Sequence, residues 1–342
     1  MSLTRVFVKR AMLSAARYTG VNRAFRVTLG RNKVLVLCYH GVVADDHSPE
    51  EFLYRNTVSV RDFGLQLQFL TRNFHPIGIR ELMDFVRAGR ALKPRSTLVT
   101  FDDGYNNNLR NASPLLSKYG VPAMFAVTTG YVGGSDVLWP DEVNLRVLGW
   151  PLAAIPYPLP FCPFDGVQVP PEMSARIELA DRIRAACKNV SDEIRRAYLN
   201  VLREVPCHTL EDRDRELFDF LSWDDVRSLV KGGFDIASHT VSHPILSRID
   251  SQQLDYELKE SKTCIETETG TTCSCLVYPN GKKSDFSNEV QVAARCAGYD
   301  IAFSLTGAYA TVRKDCFTFS RIVVPGHQPP TVFESRASGL RT

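Results

Sequence analysis

A chain of 342 residues is long enough for one large domain or two, and its hydrophobic (44%) and charged (23%) fractions are those of an ordinary globular protein. A net charge of +3, with no basic stripe interleaved with aromatics, argues against nucleic acid as a partner. Nine cysteines, an odd number without paired spacing, point to reduced thiols rather than a disulfide framework, and Cys273 and Cys275 read as packing residues at a strand start.

The chain opens on a basic stretch. No Asp or Glu precedes Asp45, whereas Arg5, Lys9, Arg10, Arg17, Arg23 and Arg26 are spread among apolar residues. Those apolar residues never form the continuous run of a signal peptide or a membrane span. Residues 1–30 therefore read as a basic amphipathic segment able to rest on an anionic membrane through residues 1–26. An Arg-rich transit peptide and a helix packed on the domain are the other readings. The expected location is cytoplasmic, with peripheral contact at the inner face of the membrane.

Residues 34–39, VLVLCY, predict a buried strand that ends in His40-Gly41. After an acidic loop, Phe63, Leu67 and Leu70 recur at three and four, which predicts a helix over 60–72, and a second helix follows over 79–88. Residues 97–105, TLVTFDDGY, form a β-branched strand that stops at Asp102, Asp103 and Gly104. A helix over 106–118 closes at Gly120 and Pro122, before a strand over 123–127. Strand, helix, strand at this spacing is the βαβ pattern of a parallel sheet or barrel.

The pattern then breaks. Prolines between Pro151 and Pro171 are too dense for a helix or a central strand. Two helices follow, over 172–188 and 191–205, so residues 131–221 read as a helical, Pro-rich insertion that shapes a groove. Alternation resumes at Ser222, an N-cap for a helix over 223–231. Strand 234–238 delivers His239. Helix 251–269 leads to strand 275–278 and the turn Pro279-Asn280-Gly281. Helix 288–297, strand 299–303 and a last strand over 320–324 complete about seven strands.

In an α/β barrel all strand exits meet at one face, which carries the active site. His40, then Asp102 and Asp103, then His239 and His243, then Asn280 all stand at such exits. Two adjacent carboxylates leaving a buried strand repel each other and lose water, and a bound cation is the usual compensation. His239 and His243 are spaced as on a helix face, but Pro244 disfavours helix there and places both on a strand-to-loop turn. Two imidazoles and one carboxylate make a three-ligand site, suited to a catalytic Zn²⁺ or to a non-haem iron. The second Asp favours hydrolysis, which needs a base beside a metal-bound water.

TFDDGY (Thr100–Tyr105), SHTVSH (Ser238–His243) and YPNG (Tyr278–Gly281), in this order, resemble the NodB-homology polysaccharide deacetylases of carbohydrate esterase family four. The resemblance runs from Leu37-Cys38-Tyr39-His40-Gly41 through Trp223 to Ser320-Arg321-Ile322. It implies a distorted (β/α)₇ barrel over 31–327, with core motifs in 95–327, the insertion at 131–221, and a C-terminal tail at 328–342. It further implies removal of N- or O-acetyl groups from sugars, commonly N-acetylglucosamine units of an oligo- or polysaccharide. By resemblance Asp102 is the general base, Asp103, His239 and His243 hold a divalent metal, expected to be Zn²⁺, and the Asn280 N–H helps bind the oxyanion.

Two departures stand out. The family's Arg ahead of its Pro-Tyr-Gly motif is replaced by Val277-Tyr278, leaving Arg321 of the last strand as the candidate to orient Asp102. The late Leu-x-His strand that carries the general acid is absent. An apolar strand ending in His40 precedes the Asp pair instead, as in the biofilm poly-N-acetylglucosamine deacetylases. His40 is then the candidate acid, with His327 competing. A hydrolase of a small non-peptide C–N bond and a silent carbohydrate-binding protein on the same barrel are the alternatives. The lack of a secretion signal favours a glycan precursor met at the cytoplasmic membrane face.

Overall fold

The computed structural model describes residues 22–24, 33–46, 56–151, 167–204, 217–307, 309–311, 316–326 and 328–340. The buried apolar runs form parallel strands: β1 (Lys33–Tyr39), β2 (Ser96–Phe101), β3 (Ala123–Val127), β4 (Asp235–Ser238), β5 (Cys275–Val277) and β6 (Ile301–Ser304). Every residue of β2, β3 and β6 is buried, because both faces of a parallel sheet in a barrel are covered. Each strand pairs in parallel with the next, from Leu35 opposite Thr97 to Val277 opposite Phe303.

Closure falls to the last extended segment, which is split. Its first piece, β7 (Phe319–Ser320), pairs with β6, and its second, β8 (Ile322–Val323), pairs with β1. The single strand expected over 320–324 is thus broken at Arg321, the residue at which the segment crosses from one neighbour to the other. The ring is the distorted (β/α)₇ barrel that the sequence predicts.

Alternation along the strands sorts side chains into two layers. Leu35, Leu37, Val99, Phe101 and Phe125 face the surrounding helices. Val34, Val36, Leu98, Met124, Ala237 and Phe303 point to the barrel interior. Leu82, Met83 and Phe85 pack on that inner set, so their helix plugs the N-terminal end of the barrel. Continuing the inward parity toward the strand exits leads from Val36 to Cys38 and His40, from Leu98 to Thr100 and Asp102, and from Ala237 to His239. Sequence parity alone thus assembles a polar layer at the open end.

The helices follow their local codes. α1 (Val60–Asn73) is capped by the Ser59 hydroxyl, and α2 is Ile79–Ala88. The predicted helix over 106–118 instead opens with a wide turn over Asn108–Ala112 and becomes α3 (Ser113–Tyr119) only where Pro114 fits the first turn. The insertion holds α4 (Trp139–Gly149), not expected from sequence, α5 (Met173–Cys187) and α6 (Asp192–Glu204). Val143, Val147, Ile183, Tyr198 and Leu202 give these helices their own core, which Ile245 joins from the loop after His243. Ser222 forms a capping box with Asp225 for α7 (Trp223–Lys231). α8 (Ser251–Thr269) and α9 (Asn288–Cys296) follow as predicted.

The segment expected as a tail carries α10 (Pro330–Ala337), whose Phe333 packs edge-on against Phe69 of α1, ring centres 6.0 Å apart. Residues 1–21 and 25–32 of the basic segment, residues 152–166 of the Pro-rich stretch, and His327 lie outside the described residues. Among those described, every cysteine is free and no helix is long and apolar enough to cross a membrane.

Candidate active site

At the exit of β4 the chain turns through Thr240 and His243, both at positive φ (70° and 57°), so that His239 and His243 face the same point. Their rings stand edge to face with centres 4.8 Å apart. The turn is held from three sides. Thr129 and Gly130, at the exit of β3, donate to the carbonyls of Thr240 and Val241 at 3.0 and 2.9 Å. A Cβ on Gly130 would lie 2.7 Å from the Val241 carbonyl oxygen, so the close approach requires glycine. From α8, the buried Glu257 carboxylate accepts the N–H groups of Val241 and Ser242 at 2.8 and 2.9 Å. From α4, the Trp139 indole donates to the His243 carbonyl at 3.1 Å.

Asp103 completes the group. It also has positive φ (76°), and its Oδ1 lies 3.4 Å from His239 Nε2 and 3.6 Å from His243 Nε2. The geometry fits a metal. Donors about 2.1 Å from a tetrahedral cation stand about 3.4 Å apart, whereas a good N–H···O bond is nearer 2.9 Å. His239 Nδ1 bonds the Val277 carbonyl at 2.8 Å, which leaves Nε2 free to offer its lone pair toward Asp103. A cation between the two Nε2 atoms and the carboxylate oxygen would satisfy all three.

Without a cation, the same three groups compensate one another. Burial alone raises the Asp103 carboxyl, but the His239 hydrogen bond and the His40 and His243 charges outweigh it and hold the group well below the usual carboxylate range. Burial, then the His239 charge, pushes His243 down to about 3, keeping a neutral imidazole ready to ligate. Burial lowers His239 as well, but the hydrogen bond to Asp103 and the Asp102 and Asp103 charges leave it raised on balance.

Asp102 is handled differently from its neighbour. Arg321, fully buried at the break between β7 and β8, forks onto it with hydrogen bonds of 2.6 and 2.8 Å and reaches Thr100 Oγ1 at 3.1 Å. The Cys38 thiol adds a contact at 3.3 Å. Burial raises the Asp102 carboxyl, and the Arg321 charge and hydrogen bonds reverse this, so the group is lowered on balance. The guanidinium that clamps Asp102 thus comes from the closing segment, and Val277-Tyr278 supplies none.

His40 is half-buried beside this pair. Its ring nitrogen, the Cys38 sulfur and an Asp102 oxygen lie within 4.8 Å of one another, and His40 Nδ1 has no hydrogen-bond partner. Asn280 sits in the turn after β5 at φ 58°, with its buried side-chain Nδ2 unpaired. His40, Asp102, Asp103, His239, His243 and Asn280 all line one pocket of about 100 Å³. A larger cavity of about 490 Å³ lies between α1 and α10 and carries none of these groups.

Sequence reading missed several contributors. Tyr105 and Leu138 line the pocket, and the Tyr105 hydroxyl donates to Asp141. Arg184 and Lys188 also line it, from α5 of the insertion. Tyr105 closes the TFDDGY motif itself, whereas its partner Asp141 lies 36 residues further along the chain. Glu257, Arg184 and Lys188 carry no local signature, since only packing brings their helices to the pocket.

The arrangement defines a class: a parallel α/β barrel with a buried His₂Asp group that could hold a metal, beside an Arg-clamped carboxylate. A family model described as polysaccharide deacetylase matches residues 89–153 and 181–302, and the chain belongs to that family. Among solved structures it resembles the deacetylase PplD of Streptococcus pyogenes in complex with acetate (17% identity, TM-score 0.59), covering 89% of this chain and 97% of that one. It also resembles IcaB from Ammonifex degensii (19%, 0.55), covering 90% and 98%. A curated relative, the poly-β-1,6-N-acetyl-D-glucosamine N-deacetylase of Escherichia coli K12, is 26% identical over 102 residues, which span 30% of this chain and 15% of that protein's length.

Proposed function

We infer that the protein hydrolyses an N-acetyl group on a carbohydrate, most simply an N-acetylglucosamine-containing glycan. The observation that carries this reading is the pairing of an ionised, Arg-clamped Asp102 with the Asp103, His239 and His243 group in one pocket of a polysaccharide deacetylase barrel. A divalent cation, Zn²⁺ by the tetrahedral fit and the two-imidazole donor set, would polarise the acetyl carbonyl and acidify a water.

The chain's own groups supply the remainder. Asp102 stays charged at neutral pH and takes a proton from the attacking water. Arg321 holds both carboxylate oxygens, which keeps the proton-accepting face of Asp102 turned to the pocket. The Asn280 N–H is suited to receive the developing oxyanion, because positive φ turns the peptide of this residue out of the strand direction. His40 gives a proton to the leaving amine. Its unpaired Nδ1 and its place beside Asp102 support that role, while His327 keeps the competing assignment. Contact with an anionic membrane through residues 1–26 and a cytoplasmic, membrane-bound glycan precursor as substrate belong to the same reading.

The test is acetate release from N-acetylglucosamine oligomers by metal-loaded protein, with Asp102→Asn as the control. The variant should keep its metal and lose turnover by about a hundredfold or more. Equal acetate release by both proteins would refute the assignment of the base.

A further inference from the structure

Two cations in the pocket have no part in the hydrolysis. Arg184 and Lys188 lie one turn apart at the end of α5 and line the same pocket as His40, Asp102, Asp103 and His243. Like charges at this spacing repel on a helix, so the pair does not stabilise α5. The helix dipole favours cations at a C-terminus, yet it gives no reason for both to face the pocket. Among the described residues, the Lys188 ammonium has no carboxylate within ion-pair distance and no side-chain hydrogen bond.

The carboxylates around these cations have other commitments. Asp102 is forked by Arg321, and Asp103 sits between two imidazoles. Asp141 accepts from Tyr105. Asp285 is bound by the Lys282 N–H and the Ser284 hydroxyl, both at 2.9 Å, and Asp181 pairs with Arg184 from the exposed side of α5. Burial, followed by the charges of Arg184 and Lys282, pushes the Lys188 ammonium down to about 8, against a smaller opposite pull from Asp285. A divalent cation on the Asp103 group would tip the pocket, lined by Asp102, Asp103 and Asp141 against Arg184 and Lys188, from net negative to net positive.

We propose that Lys188, supported by Arg184, forms an anion-binding subsite, and that the acetylated sugar substrate carries a carboxylate or phosphate within reach of the acetamido group. Because both cations share one small pocket with the base, the anion belongs to the sugar bearing the acetyl group or to the unit beside it. A lysine ammonium, a compact point charge with three donors, suits either oxyanion. This inference rests on the deacetylase reading and extends it to the substrate's charge.

The experiment compares three acetylated probes on metal-loaded protein. They are a neutral N-acetylglucosamine tetramer, a tetramer in which N-acetylglucosamine alternates with glucuronate, and N-acetylglucosamine 1-phosphate. In the wild type, one of the charged probes should have the lower KM, and which one identifies carboxylate or phosphate. Lys188→Met should raise the ratio of charged-probe KM to neutral-probe KM by about tenfold to a hundredfold. Lys188→Arg, which keeps the charge, should restore it. Calorimetric titration of glucuronate and of N-acetylglucosamine 1-phosphate should show the same loss of binding in Lys188→Met. An unchanged ratio together with unchanged titrations would overturn the proposal. If no probe releases acetate, the deacetylase reading fails, and the anion subsite is then decided by the titrations alone.

Discussion

Arg321→Met is the most informative single change. It keeps most of the side-chain volume and removes the guanidinium that forks onto Asp102 at 2.6 and 2.8 Å. Both partners are buried, Arg321 fully and Asp102 to 2% exposure, so solvent cannot replace the lost contacts. Removing one member of a buried pair costs about 3–5 kcal/mol, because the other charge is left uncompensated. Urea unfolding at pH 7 should register that loss. The pH dependence has a definite sign. In the wild type the Asp102 pKa is lowered, so its contribution is present above about pH 4, the unfolded carboxylate value, and is lost as pH falls through the folded value. In the variant, burial without Arg321 raises the same group, and acid relieves the strain. The stability gap between the two proteins should therefore start to narrow above about pH 4, as the variant's raised carboxyl takes up a proton, and keep narrowing below it as the wild-type pair is lost. The acid limb of the activity profile should also move toward neutral pH, because the base is now protonated there. Adding Asp102→Asn to Arg321→Met should recover part of the stability, since the charge left unpaired by the first change is then gone. A single variant within about 1 kcal/mol of wild type, or a double variant less stable than the single, would refute the reasoning.

Three further outcomes are expected. His40→Ala should lower acetate release by at least about a hundredfold while metal content stays intact, and unchanged turnover would remove His40 from the role of acid. His243→Ala should abolish tight metal binding in a competition assay with a chelating dye, because it removes one of three donor atoms lying within 4.8 Å. Glu257→Gln, which keeps the shape of the group but weakens its hold on the Val241 and Ser242 N–H groups, should raise the metal dissociation constant by about tenfold or more without touching the ion. A dissociation constant equal to wild type would mean that the turn is held well enough by Gly130 and Trp139.

The strands that carry the site were legible because burial on both faces leaves an unmistakable local record. Residues 34–39, 97–101 and 123–127 are continuous apolar runs that stop at polar turns, and they became β1, β2 and β3 nearly as predicted. Pro244 placed His239 and His243 on a turn, where they stand. Strand parity and the common exit face of a parallel barrel were enough to bring His40, Asp102 and His239 together, whereas Asp103 joins them through its positive φ.

What a single stretch of chain does not encode is which distant group answers a buried charge. Arg321 lies 219 residues from Asp102 and meets it only because the closing segment breaks between two neighbours and turns its side chain inward. Glu257 grips the turn between His239 and His243 from the buried face of a helix that reads as ordinary, and Arg184 and Lys188 reach the pocket only through the packing of the insertion. Local residue pattern determined the strands, the turns and the polar groups at their ends, since these depend on burial and backbone preference within a few residues. The tertiary structure alone decided the partners of those groups, because electrostatic compensation acts through space and takes whatever charge the fold brings near.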